Sequence, residues 1–214
     1  YARCMQKTLG EENYPFPEDG YQGDDIRELA EGFLAQAGEF PGGTSEDAWM
    51  TAMAEYGLSV NLPKMKADLQ RYKINYDTWF YESTLHNSGA VAETAELLTQ
   101  RGWTYEKEGA LWLKTADILR ENLRKAGKKE KDIEKLDLKD DVLRRANGFY
   151  TYFAADIAYH RNKFETRGFD RVINIWGADH HGHVARLKGA LADLGVNGSE
   201  KLNIVLMQLV KLLR

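Results

Sequence analysis

The chain has 214 residues, 43% hydrophobic and 29% charged, with a formal net charge of −4 and one cysteine. That length suffices for one good core with an appended subdomain, and the balance of charge lacks the basic footprint of a self-sufficient nucleic-acid binder. Cys4 has no partner for an internal disulfide, which fits a reducing cytosol, and no apolar run spans a bilayer or forms a secretory signal, so a cytoplasmic chain without membrane contact is expected.

The chain opens in polar sequence without a methionine and closes in the apolar "NIVLMQLVKLLR" with no cap or tail. Natural ends are usually polar and frayed, so an excised piece of a larger protein is expected rather than a small protein with a processed start. Residues 11–24, "EENYPFPEDGYQGD", read as a loop. Ile26, Leu29, Ala30, Phe33, Leu34 and Ala37 follow helical spacing that stops at Gly38. After the loop "PGGTSED", Thr44 or Ser45 caps a helix presenting Trp49, Met53 and Tyr56, and a third helix is expected around Leu62 to Tyr72. Met50, Met53 and Met65 read as packing residues, because such stripes are far more often core than cofactor site.

A strand is expected at Thr78–Tyr81, and an amphipathic helix over Val91–Arg101, closed by Gly102. "WTYEKEGALWLKT" predicts two short strands around Gly109. The charge-rich stretch 117–141 interleaves acids with its lysines, so it reads as a solvated helical insertion rather than a phosphate-binding surface. Asn147-Gly148 predicts a hairpin between Val142–Arg145 and Phe149–Tyr152. "RVINIW", Arg171 to Trp176, predicts a strand buried on both faces. A helix over Gly182–Leu194, stopped by Gly195, leads to a second strand, "LNIVLM". Together these make a parallel βαβ unit and place the chain in the α/β class. Three segments are expected: helical 1–75, small α+β 76–149, and the βαβ part of a core, 150–214.

Four of the five histidines lie between His160 and His183. Gly177-Ala178-Asp179-His180-His181-Gly182-His183 follows the predicted strand, where ligands bind in open α/β sheets. Gly177 lets a ligand approach the backbone, and His and Asp near a helix N-terminus suit ribose hydroxyls and phosphates. Tyr152 and Asp156 are spaced i,i+4, so a helix starting at Tyr152 projects both from one face. A partly buried carboxylate needs a partner, and a guanidinium supplies one through two parallel hydrogen bonds. Three readings stay open on pattern alone. In the first, Asp156 caps a helix or pairs with Arg161 or Arg171, and the histidines are merely exposed. The second is a zinc site, which the divergence of adjacent His180 and His181 and the lack of a second cysteine disfavour. The third is a pocket for a nucleotide and a small cation.

The strings "YTYFAADIAYH", "GFDRVINIWGADHHGHVARLKGALADLG" and "IVLMQLV" resemble the bacterial arginyl-tRNA synthetases. Upstream, "YPFPEDGYQGDDIRELAEGF" and "DTWFYESTLHNSGAVAETAELLTQRGWTYEKEGALWLKT" continue the resemblance in the family's order over nearly the whole chain. The resemblance implies a Rossmann-type class I catalytic core with an inserted, mainly helical α+β subdomain. It implies ATP-dependent joining of L-arginine to tRNA(Arg), with Mg2+ accompanying ATP and no protein-bound metal. By the same resemblance Tyr152, Asp156 and His180 touch arginine. Gly177, Asp179 and His183 border the adenosine, and Met207 and Gln208 approach the adenine through backbone groups.

The family's His-Ile-Gly-His-type and Lys-Met-Ser-Lys-Ser-type ATP signatures are not in this sequence. The isolated chain is therefore expected to be inactive and to hold no catalytic residue, and 117–141 to be a lineage-specific surface insertion. An open edge at Arg171–Trp176 is expected to invite self-association. A rival of another class is an arginine-sensing or partner-binding module built from synthetase sequence.

Overall fold

The computed structural model describes residues 2–9, 15, 16, 18, 20, 21, 23–38, 45–196 and 198–211. It divides into two compact units, Tyr1–Trp79 and Phe80–Arg214. Residues 11–14, 17, 19 and 22 of the expected loop over 11–24, and the cap candidate Thr44, lie outside the described residues. Among the described residues no helix is long and apolar enough to cross a membrane.

The first unit is helical: α1 (Ala2–Leu9), α2 (Asp24–Ala37) and α3 (Glu46–Arg71). Helix α2 ends as its spacing predicts, with Gly38 at φ 77° and its amide on the Leu34 carbonyl. Ser45 caps α3, its hydroxyl accepting from the Ala48 amide at 3.2 Å. Cys4, Met5, Ala30, Phe33 and Trp49 form the buried centre, with Phe33 edge-on to Trp49 at 5.0 Å and to Tyr56 at 5.5 Å.

The structure corrects three expectations in this unit. The second and third helices are one helix of 26 residues that runs through Pro63. Proline costs a helix one donor and a local clash without obliging it to end. Of the three methionines read as packing residues, Met53 packs against the core, while Met50 and Met65 are exposed. Residues 78–81 form no strand. Their aromatics pack instead: Trp79 meets Tyr76 edge-on at 5.4 Å and lies under Lys66 Nζ at 4.8 Å.

The second unit opens with α4 (Ser83–Asn87) and α5 (Ala90–Gln100), followed by β1 (Thr104–Lys107) and β2 (Ala110–Leu113). Glu108 and Gly109 both have positive φ, 53° and 75°, as a two-residue hairpin turn requires. Then come α6 (Thr115–Lys125), α7 (Glu130–Ile133) and β3 (Asp141–Arg144). Strands β1, β2 and β3 form an antiparallel sheet in that order. The Asn147-Gly148 turn forms, but its second strand shrinks to one bridge, Arg144 to Tyr150, because Thr151 already caps the next helix.

That helix is α8 (Tyr152–Arg161), continued by a π-turn over Asn162–Thr166. Strand β4 (Val172–Gly177), a 3-10 turn over Ala178–His180, α9 (His181–Asp193), α10 (Gly198–Lys201) and β5 (Leu202–Met207) complete the chain. Strands β4 and β5 are parallel, in register from Val172–Leu202 to Gly177–Met207, which makes the βαβ unit that the apolar runs predict.

The stretch 117–141, expected as a solvated surface insertion, also contributes residues to the core. Ile118 and Ile133 are each 1% exposed, and α6 packs on α9 so closely that a Cβ on Gly189 would lie 2.6 Å from Ile118 Cγ2. The expected segments 76–149 and 150–214 share one core, with Leu98, Leu113, Leu143, Ile157, Leu187 and Leu202 in a single cluster. Strand β4 is buried on one face only. Val172 and Asn174 point inward, whereas Ile173 and Ile175 are 62% and 73% exposed. Strand β5 leaves Val205 and Met207 exposed on its own outer positions. Parallel strands normally have both faces covered, so the apolar run signals a burial that these residues alone do not complete.

Candidate functional site

The C-terminal end of β4 meets the side of α8 at a cluster of imidazoles and one carboxylate. Thr151 starts α8, its hydroxyl accepting from the Ala154 amide at 3.4 Å and donating to the Val142 carbonyl at 2.7 Å. The helix therefore begins at Tyr152, one turn before Asp156. Asp156 Oδ2 lies 2.8 Å from His183 Nε2, with side-chain exposures of 38% and 14%. Asp156 thus neither caps a helix nor pairs with Arg161. That arginine is taken by Glu93, Glu165 and the Thr94 hydroxyl. His183 is wedged edge-on against Phe153 at 5.1 Å and tilted on Trp176 at 5.4 Å. His180 completes the ring cluster, 5.9 Å from Trp176 and 6.4 Å from His183.

The two groups of residues predicted to form the site come together unevenly. Asp156 and His183, expected at the amino-acid and nucleotide ends respectively, are in direct contact. Gly177 and Met207 are register partners across the parallel strands, with Gln208 directly after. Asp179 and His180 remain open to solvent on the 3-10 turn, and Gly177 is tight against the Asp179 carboxylate. Tyr152 is 80% exposed and lines a separate shallow cleft of about 240 Å³ with Glu82, His86, Arg145, Phe149 and Tyr150, of which Asp156 is not a part. His181 begins α9 and is exposed. Among the described residues no three His, Cys, Asp or Glu side chains are grouped so as to hold a metal ion.

Behind this cluster lies a buried chain of polar groups that sequence reasoning missed. Lys163 Nζ donates to Asn174 Oδ1 at 3.1 Å. Lysine has no acceptor, so the Asn174 amide must point its NH2 at His160 Nε2, 2.6 Å away. His160 is then the tautomer protonated on Nδ1, which donates to the Asp156 carbonyl at 2.7 Å. Burial drives the His160 pKa down to about 4, a neutral ring that agrees with this assignment. Burial, reinforced by Arg167, lowers Lys163 to about 8; its ammonium also sits 4.1 Å over the Tyr159 ring. The signal for the chain was Asn174, the one polar residue inside "VINIW". A buried amide in a strand demands partners. Lys163 reaches it from the π-turn, a geometry sequence pattern does not announce.

No family model matches the chain. Curated relatives are aminoacyl-tRNA ligases. An arginine–tRNA ligase of Ruminiclostridium cellulolyticum is 51% identical over 213 residues, covering 100% of this chain and 35% of that protein. One from Caldanaerobacter subterraneus subsp. tengcongensis is 50% identical over 197 residues, covering 92% of this chain and 32% of its own length. A solved Campylobacter jejuni protein assigned as an arginyl-tRNA synthetase superposes with a TM-score of 0.70 at 32% identity, covering 97% of this chain and 41% of that one. The chain belongs to the arginine–tRNA ligase family, and it spans about a third of the length of the curated relatives it matches.

Proposed function

We propose that this chain is the amino-acid-selecting part of the Rossmann-type core of a cytoplasmic arginine–tRNA ligase, an internal piece of a longer enzyme. The supporting observation is Asp156: a half-exposed carboxylate at the carboxyl end of a parallel strand pair, held by a nitrogen donor at 2.8 Å. Such a group suits a guanidinium. In this reading Asp156 reads the arginine side chain and His180 touches the amino acid, while Tyr152, one turn before Asp156 on α8, orients the ligand only if its exposed side chain leaves its own cleft. Gly177, Asp179 and His183 border ATP, which carries its own Mg2+, and Met207 and Gln208 offer backbone groups to the adenine. The tRNA(Arg) acceptor is bound by the longer enzyme.

In the rival module reading the chain senses arginine or docks a partner without chemistry, and the exposed Ile173 and Ile175 would then be a docking face rather than a face covered by the longer enzyme. Arginine- and tRNA-dependent charging, with ATP–pyrophosphate exchange alongside, tests the choice on the full-length protein and the 214-residue chain side by side. Activity in the long protein and silence in the chain is expected, because the chain lacks both ATP signatures and hence the groups that meet charge developing on the phosphates. Exchange catalysed by the chain alone, or none by a folded long protein, overturns the reading.

The separated chain is also expected to self-associate. Strands β4 and β5 form a two-stranded sheet with an exposed apolar face, and unpaired strand edges beside such a face recruit further strands. Sedimentation velocity should show the average mass rising with concentration. A monomer throughout the concentration series would remove this expectation without touching the ligase reading.

A further inference from the structure

The contact between His183 Nε2 and Asp156 Oδ2 is not one that holding ATP or arginine requires. Its meaning rests on the reading of Asp156 as the arginine-binding carboxylate. A guanidinium engages both oxygens of a carboxylate through two parallel N–H donors. One of those oxygens is already held by His183, whose ring is fixed between Phe153 and Trp176. Two cations around one carboxylate repel each other, and a buried carboxylate with no donor at all is costly.

We propose that His183 is the resident partner of Asp156 in the empty site, and that the substrate guanidinium displaces its charge. The bond that breaks is the imidazolium N–H to Asp156 contact, the bonds that form are guanidinium N–H to carboxylate, and the released proton passes to solvent. His183 is thereby a specificity-determining residue. A ligand without a fixed cation, such as the neutral urea isostere citrulline, gains nothing by displacing it, so it meets an occupied carboxylate.

The charged and titratable neighbours of this pair can be told apart. His160 on α8 stays neutral down to about pH 4, but Lys163 on the π-turn, lowered to about 8 and sensing the Asp156 charge, begins to lose its proton at the top of the range, so the acid end carries the test. On the 3-10 turn His180 lies 6.4 Å from the His183 ring, and the exposed Asp179 carboxylate lies 3.8 Å from His180. Arg186, one turn along α9, is engaged by Asp141. His180 is the remaining imidazole beside the cluster, so the test must separate it from His183.

The experiment is calorimetric titration of the full-length ligase with L-arginine, without ATP, in paired buffers of different ionisation enthalpy, from about pH 6 to about pH 7.5. The wild type is expected to release up to about one proton per arginine at the acid end, with affinity rising by up to about tenfold per pH unit wherever a proton is released. In His183→Gln, which keeps an N–H donor without a titrating charge, proton release and the pH slope should both vanish while arginine still binds. Persistence of proton release in His183→Gln assigns it to another group, His180 or Lys163, and overturns the proposal. Arginine binding to the wild type with no proton exchange overturns it without any variant. Failure of the folded wild type to bind arginine at any pH instead overturns the reading of Asp156, and the exchange with it.

Discussion

Asp156→Asn in the full-length ligase is expected to lower kcat/KM for arginine by about one to two orders of magnitude. Asparagine keeps the shape of the side chain and an acceptor for His183, so the loss isolates the charge. Removing one partner of a fully desolvated charge pair costs about 2–5 kcal/mol, and the 38% exposure of Asp156 lets solvent screen part of it, so the loss should fall at the lower end. On the proposed reading Asp156 would hold the guanidinium in the ground state and the transition state alike, so the damage should fall on the KM for arginine more than on kcat. The KM for ATP should hardly move. Pyrophosphate exchange with each substrate varied in turn reads all three quantities. An unchanged KM for arginine would mean that the carboxylate beside His183 answers to some other ligand.

Acid should act on the buried polar chain behind the site. His160 is 2% exposed and its pKa is pushed down to about 4, chiefly by burial. As pH falls below about 6.5 the unfolded chain takes up the proton first, while the folded chain stays neutral until about pH 4. Stability from this group is therefore complete above about pH 6.5 and lost across the window from 6.5 to 4, by about 3 kcal/mol. Asp193 runs the other way. Burial and the nearby Glu121 raise it to about 6, so its folded form gains a proton before the unfolded one and adds stability as pH falls from about 6 to 3.9. The wild-type curve mixes the two opposed effects. The difference between wild type and His160→Gln in urea titrations isolates His160, and that difference should shrink by about 3 kcal/mol between pH 7 and pH 4. Parallel curves would mean that His160 is charged in the folded protein, and the tautomer assigned through Asn174 would fall with it.

The βαβ unit was legible because its signals are local. Two apolar runs, a helical repeat at Leu187, Leu191 and Leu194, and Gly195 at φ 73° each speak for themselves. The turns at Gly109 and Gly148 were legible for the same reason. The two helices expected there are one, and it runs unbroken through Pro63, because a breaker shows where a helix is strained, not whether its flanks hold it together. The aromatic run at 78–81 misled because β propensity measures fit to a surface, and here the surface is offered by a helix. In the site, Asp156 and His183 could each be singled out, but their bond spans 27 residues and depends on how α9 packs against α8. No spacing rule reaches that far. The stretch 117–141 shows the same limit: Ile118 is one apolar residue in a charged run until α9 brings Gly189 against it.

Trp176 packs among imidazoles, with His183, His180 and His160 at ring distances of 5.4, 5.9 and 6.3 Å. A protonated imidazole beside an excited indole drains its emission, so this tryptophan is a built-in optical gauge of the charge around it. With the other four tryptophans of this chain changed to phenylalanine, the glow of Trp176 would brighten as arginine enters and a neighbouring ring gives up its proton. The enzyme would then announce its own occupancy in real time, without a label and before any chemistry begins.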